Sequence, residues 1–221
     1  FNNKNVKFPT VNWVVKKLTN EKISVDIKSK LPLGCGFGIS GAGALATTYA
    51  LNKLLNLKKS KKDLAFIAHV AEVENMTGLG DVVNQYYGGF LIKYKSSYMF
   101  KVKKVSIKNK VIYYKNFGKL DTKKVISNKK SENKINKAGL NSLKKIKNDK
   151  NINLKEIIKI SKEFSIKSDL LQSEKIINLI KKIERGKGNA SMIMLGEAVF
   201  SDRAFKGSKK LVIKDKGAYI L

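Results

Sequence analysis

Residues 31–52, LPLGCGFGISGAGALATTYALN, carry no charge, although Lys30 and Lys53 flank them and 46 of the 221 residues are Lys or Arg. Five glycines, Gly34, Gly36, Gly38, Gly41 and Gly43, fall within ten positions, and the segment then turns into a good helix former. Backbone without Cβ atoms can take turns that other residues resist. Three readings compete for such a stretch: a membrane segment, a dinucleotide-binding turn, or a cradle for a nucleotide's phosphates. The length suits a membrane span, but Pro32, the glycines, Ser40, Thr47, Thr48 and Asn52 leave too little apolar area. Gly36, Gly38 and Gly41 satisfy G-x-G-x-x-G. A dinucleotide fold, however, wants its first glycine directly after a strand and an acidic residue ending the next one. Here Pro32 intervenes, and NLKKSKKD stands where that strand end belongs. The lysine of a Walker A loop is absent, as are the V-A-I-K and H-R-D signatures of protein kinases. The cradle survives: amides freed of Cβ converge on an anion, and the helix they open adds its positive end. Backbone donors then do what lysines do elsewhere.

The rest of the chain reads as mixed α/β or α+β. KISVDIKSKL (22–31) alternates Ile23, Val25 and Ile27 with polar residues, which predicts a half-buried strand. Ala44, Leu45, Thr48, Leu51 and Leu55 recur at helical spacing and predict a helix from about Gly41 to Leu57. Ser60, with Asp63 three positions on, opens a second helix in the manner of a capping box. TGLGD breaks the pattern; VVNQYYGG predicts a short helical turn ending at Gly88, and FLIKYK a strand. YMFKVKKVSI and KVIYYKNF are further strand candidates around Asn109-Lys110. After Asp121 come three Lys-faced amphipathic helices, then the apolar NASMIMLGEAVF, and KKLVIKD and GAYIL as closing strands. The change of texture predicts a boundary near Leu120.

The formal net charge of +29 suggests a polyanionic partner. Yet Arg185 and Arg203 are the only arginines, and sequence-specific readers of nucleic acid rely on the arginine fork. Lys, Asn and Ile share A/T-rich codons, so genomic base composition accounts for the balance without a nucleic-acid partner. One cysteine, Cys35, and one histidine, His69, exclude a disulfide framework and a multi-histidine metal site.

LPLGCGFGISGAGAL resembles the phosphate-binding motif P-x-x-x-G-L-G-S-S-A-A of the GHMP kinases, with Pro32, Gly36, Gly38, Ser40 and Ala42 matching. Phe37, Ile39 and Gly41 depart from it, departures shared with the archaeal pantoate kinases. AHVAEVENMTGLGDVVNQYYGGF and GNASMIMLGEAVF are similar to the second and third motifs of that group. The resemblance implies an α+β GHMP kinase fold: residues 1–120 as an ATP-binding domain like ribosomal protein S5 domain 2, and 121–221 as a ferredoxin-like domain. It also implies that family strands preceding the region of Phe1 are missing. The implied reaction is ATP-dependent phosphorylation of (R)-pantoate to 4-phosphopantoate, toward coenzyme A, with Mg²⁺, in the cytoplasm, without membrane or nucleic acid, and with a homodimer left open. Shikimate, homoserine or mevalonate stand as alternative acceptors.

Phosphoryl transfer asks a protein mainly for positioning and charge neutralisation. The resemblance gives Gly34, Gly36, Gly38, Ser40, Gly41, Ala42 and Gly43 to the nucleotide, and Ser40 and Glu72 to Mg²⁺. An N-cap is the plain alternative for Ser40. Glu74, two residues after Glu72, points to the other side of a helix, so only one of the two can face the metal. Asp81 matches the aspartate that aligns the attacking hydroxyl, with a helix cap as its plain alternative. Thr77, Gly78 and Gly80 shape the turn around the acceptor, and Gly188, Ser191 and Gly196 approach nucleotide or substrate. Met192, Met194 and His69 read as structural, and Cys35 as a small loop residue.

Overall fold

The computed structural model describes residues 1–78, 80–94, 100–108, 110–119, 129–149 and 152–220. Two compact units emerge, the first from Phe1–Leu33, Gly38–Val105 and Lys214–Leu221, the second from Gly34–Phe37 and Ser106–Ile213.

The first unit holds helices α1 (Pro9–Leu18), α2 (Ile39–Leu54), α3 (Lys61–Glu74) and α4 (Asp81–Tyr87), and the hairpin β1 (Phe90–Lys93) and β2 (Val102–Val105). Helix α3 starts as its sequence predicts: the Ser60 hydroxyl accepts from the Asp63 amide at 3.1 Å. Its Ala65, Ala68 and Ala71 recur every three residues on the buried side, and they pack in one cluster with Ala44, Leu45 and Leu51 of α2. The sequence gives less warning of α1. Pro9 presets its first turn, Val11 and Val14 are buried, and Lys16 and Lys17 lie in the last turn, where cations complement the helix dipole.

The segment expected to be a strand over 22–31 alternates as predicted, with Ile23, Val25 and Ile27 half-buried between exposed neighbours, but belongs to no sheet. Alternation sets which way side chains face; only a neighbouring strand supplies the ladder. Among the described residues, the one backbone group of 22–28 that is engaged is the Ile27 carbonyl, accepting from the Asn2 amide at 2.8 Å. GAYIL is likewise no strand within the described residues, which exclude Leu221. It lies against the end of α4, where the Ala218 amide donates to the Gln85 carbonyl at 2.7 Å. YMFKVKKVSI shortens to β2, paired antiparallel from Phe90↔Val105 to Lys93↔Val102; its Tyr98 and Met99, like Asn109 of the expected turn, lie outside the described residues.

The second unit is an antiparallel sheet of β3 (Val111–Gly118), β4 (Ala190–Met192), β5 (Glu197–Ser201) and β6 (Lys209–Val212), with α5 (Lys129–Asn148), α6 (Leu154–Lys167) and α7 (Glu174–Arg185). The neighbour order is β4–β5–β3–β6, that of a ferredoxin-like sheet. The connection from β5 to β6 is a loop without the second crossover helix of that fold. Ile176, Ile180 and Ile183, one stripe of α7, bury against Ala190, Met192 and Val199. β3 pairs with β5 and β6 within the second unit, whose longer segment is Ser106–Ile213; the boundary expected near Leu120 falls outside the described residues.

Candidate functional site

Gly34, Gly36 and Gly38 have φ of 79°, 81° and 65°, the left-handed backbone that residues with a Cβ resist. Gly38 is the N-cap of α2, and Ser40 therefore sits inside the first turn rather than at the cap. The Ala42 amide donates to the Gly38 carbonyl at 3.0 Å, which leaves Ile39, Ser40 and Gly41 with the unsatisfied amides of the helix start. The amides of Ala42 and Gly43 belong to the helix, and a Cβ on buried Gly43 would come within 2.8 Å of the Phe8 ring. Gly43 is a packing glycine.

Gly41 serves the site differently. A Cβ there would lie 2.8 Å from Glu72 Oε2, so the bare backbone makes room for a carboxylate. Glu72, on α3, is fully buried. Ser40 Oγ donates to its Oε1 at 3.1 Å, and the Val82 amide to its Oε2 at 3.3 Å. Glu74 faces solvent. Asp81 is the first residue of α4, whose N-cap is Gly80, so it is no cap. Its carboxyl carbon would be 3.1 Å from a Cβ on Gly38, and a Cβ on Gly78 would stand 3.0 Å from Asp81 Oδ2 and 3.2 Å from Glu72 Oε1. The turn after α3 thus brings both carboxylates to the start of α2. Thr77 closes α3, its amide donating to the Glu72 carbonyl at 3.0 Å. Gly80 has open space where a side chain would stand.

Burial pushes the Glu72 carboxyl up to about 7, with Asp81 nearby adding to the rise and the bonds from Ser40 and Val82 opposing it. Burial raises Asp81 as well, against a pull from Lys93. Lys93, at the end of β1, was not legible as part of the site. Desolvation lowers its ammonium, and Asp81 and Glu72 push it back up. The signal was a lone cation closing the apolar run Phe90-Leu91-Ile92, which a chain this rich in lysine disguises. His69, one turn before Glu72, is not the satisfied core histidine expected: it is buried, its Nδ1 has no partner among the described residues, and its ring meets Phe100 edge-on at 6.3 Å. Burial, and then Lys93, favour its neutral form.

In the second unit, Ser191 is wholly buried on β4, with its hydroxyl unpartnered among the described residues, and offers no surface to a ligand. Gly188 packs on α7, where a Cβ would meet Ile183 Cγ2 at 2.8 Å. Gly196 interlocks with the loop itself: a Cβ there would fall 2.1 Å from the Cys35 carbonyl oxygen.

The donor set fits a small hard cation. Carboxylate and hydroxyl oxygens meet at Glu72 and Ser40 with Asp81 alongside, and a cation would offset the raised proton affinity that burial gives both carboxylates. Among the described residues, no group of three or more His, Cys, Asp or Glu could hold a metal ion, so these oxygens would need a ligand's own to complete a cation's shell. No described helix is long and apolar enough to cross a membrane.

Residues 7–89 match the model of the GHMP kinases N terminal domain. The pantoate kinase of Methanocaldococcus jannaschii is 35% identical over 205 residues, covering 90% of this chain and 73% of that protein. That of Methanospirillum hungatei is 32% identical over 178 residues, 80% of this chain and 58% of its own length. A solved phosphotransferase related to the CoA biosynthesis pathway superposes with a TM-score of 0.78 over 98% of this chain and 78% of its own, at 22% identity, and so shares the fold. Such identity, sustained along most of the chain, places this protein in the GHMP kinase family, among the pantoate kinases.

Proposed function

We propose that this protein transfers the terminal phosphoryl group of ATP to the primary alcohol of pantoate, in the cytoplasm and with Mg²⁺. The observation that carries this reading is the meeting of Glu72, Ser40 and Asp81 at the amides that open α2. Amides between Gly34 and Gly41 hold the phosphates. Ser40 Oγ and Glu72 hold Mg²⁺, which when bound offsets phosphate charge.

Asp81 accepts a hydrogen bond from the acceptor hydroxyl, directs its lone pair toward the phosphorus, and takes the proton as the oxygen becomes acidic. Burial raises the proton affinity of Asp81, which favours its taking a proton, and Lys93 opposes that rise. Lys93 also offers a cation to an anionic acceptor, a reason to expect a hydroxy acid rather than a neutral alcohol. Gly80 faces open space beside Asp81 that the acceptor can enter, and Gly78 lacks the Cβ that would crowd the two carboxylates.

The test is ADP release by the purified protein with pantoate, mevalonate, homoserine and shikimate as acceptors. Pantoate gives the highest kcat/KM on this reading, and mevalonate or shikimate exceeding it would refute the assignment. A gel-shift titration across a salt series adds a check: sequence-dependent binding of nucleic acid at physiological salt would favour a different function.

A further inference from the structure

The first half of the glycine loop, Gly34–Phe37, belongs by its packing to the unit built on the β3–β6 sheet. Its attachments run along β3. The Phe37 ring meets Tyr114 edge-on, centroids 4.9 Å apart at 71°. The Cys35 thiol is buried and hydrogen-bonded to the Asn116 side chain. Tyr114 and Asn116, two apart on a strand, face the same side. Asn116 Oδ1 also accepts from the Gly118 amide at 3.2 Å, across the irregularity that interrupts the β3–β5 register there. From the other side, the β4–β5 turn closes on the loop: a Cβ on Gly36 would be 2.7 Å from the Met194 carbonyl oxygen.

A loop with alternate glycines at positive φ has wide freedom, and ordering it on a ligand would cost conformational entropy at every residue. Cradling phosphates needs the amides already aimed. We propose that Tyr114 and Asn116 are positioning residues for nucleotide binding: they hold Cys35 and Phe37, and through them aim the loop amides, without touching the nucleotide. The proposal rests on the reading of the loop as the phosphate cradle.

The experiment compares Tyr114→Leu, Tyr114→Phe, Asn116→Ala and the control Ile183→Ala, which removes core from α7 in the same unit. The readouts are KM for ATP, KM for pantoate, kcat, the dissociation constant of a non-hydrolysable ATP analogue by calorimetry, and Tm. Tyr114→Leu and Asn116→Ala are expected to weaken analogue binding and raise KM for ATP by about five- to tenfold, the worth of one lost aromatic or polar contact. KM for pantoate should hold, Tyr114→Phe should behave as wild type, and Ile183→Ala should lower Tm without moving KM for ATP. The proposal is overturned if nucleotide affinity simply follows Tm across the four variants, or if both KM values rise together. Gly38→Val separates the two layers: analogue binding undiminished in that variant would overturn the cradle reading itself.

Discussion

Glu72→Gln should make the ligand-free protein more stable at pH 8 while disabling it as a kinase. Glu72 is fully buried with an ordinary value of 4.5 raised to about 7. Between those two values the folded protein binds a proton that the unfolded chain has lost, so stability falls as pH rises through that window and stays low above it. At about 1.4 kcal/mol per pH unit, the ionised side chain costs the fold about 3 kcal/mol at pH 8. Glutamine removes that cost but accepts more weakly from Ser40 and Val82 than a carboxylate does. A net gain of about 1–2 kcal/mol remains, or about 2–8 °C in Tm for a chain of this size. The assay is thermal melting by circular dichroism at pH 5, 6, 7 and 8, with chelator and without nucleotide. The variant's advantage should be largest at pH 8 and fade toward pH 5. Adding Mg²⁺ and an ATP analogue should then stabilise the wild type far more than the variant. A variant less stable than wild type at pH 8, or an advantage equal at all four pH values, would refute the reasoning.

Further substitutions test neighbouring parts. Asp81→Asn should lower kcat by about 10²- to 10⁴-fold with KM for ATP nearly unchanged; steady-state kinetics that leave kcat intact would remove Asp81 from the proton's path. Gly41→Ala puts a methyl group 2.8 Å from Glu72 Oε2, and should raise the Mg²⁺ concentration needed for half-maximal rate at least several-fold in a metal titration. Gly196→Ala drives a Cβ to 2.1 Å from the Cys35 carbonyl, a clash with backbone that cannot swing aside. It should cost about 1–3 kcal/mol in a urea titration, in the range of overpacked cores.

The sequence disclosed what depends on neighbours along the chain. Glycine spacing at 34–38, the Ser60–Asp63 start of α3 and the Ile176–Ile180–Ile183 stripe are local patterns, and each leaves its mark in the fold. The segment 22–31 shows the limit: alternation orients Ile23, Val25 and Ile27, but a ladder needs a second strand, which no local pattern contains. In the proposed site, the motif resemblance named Glu72 and Asp81, whose carboxylates come together at the start of α2. The services of individual residues were not legible, because they depend on what comes close in space. Gly41 gives room to a carboxylate, Gly43 to the Phe8 ring, and Gly196 to the backbone of Cys35. Lys93 was hidden by composition, since one useful ammonium among so many carries no local signature.

The most direct test is to follow a mixture of the protein, ATP, Mg²⁺ and (R)-pantoate by phosphorus NMR. A phosphate monoester resonance on pantoate should grow in step with ADP, and should be absent with Asp81→Asn. ADP that accumulates equally without pantoate, or ester that forms as fast in the variant, would contradict a carboxylate-aligned alcohol taking the phosphoryl group at the start of α2.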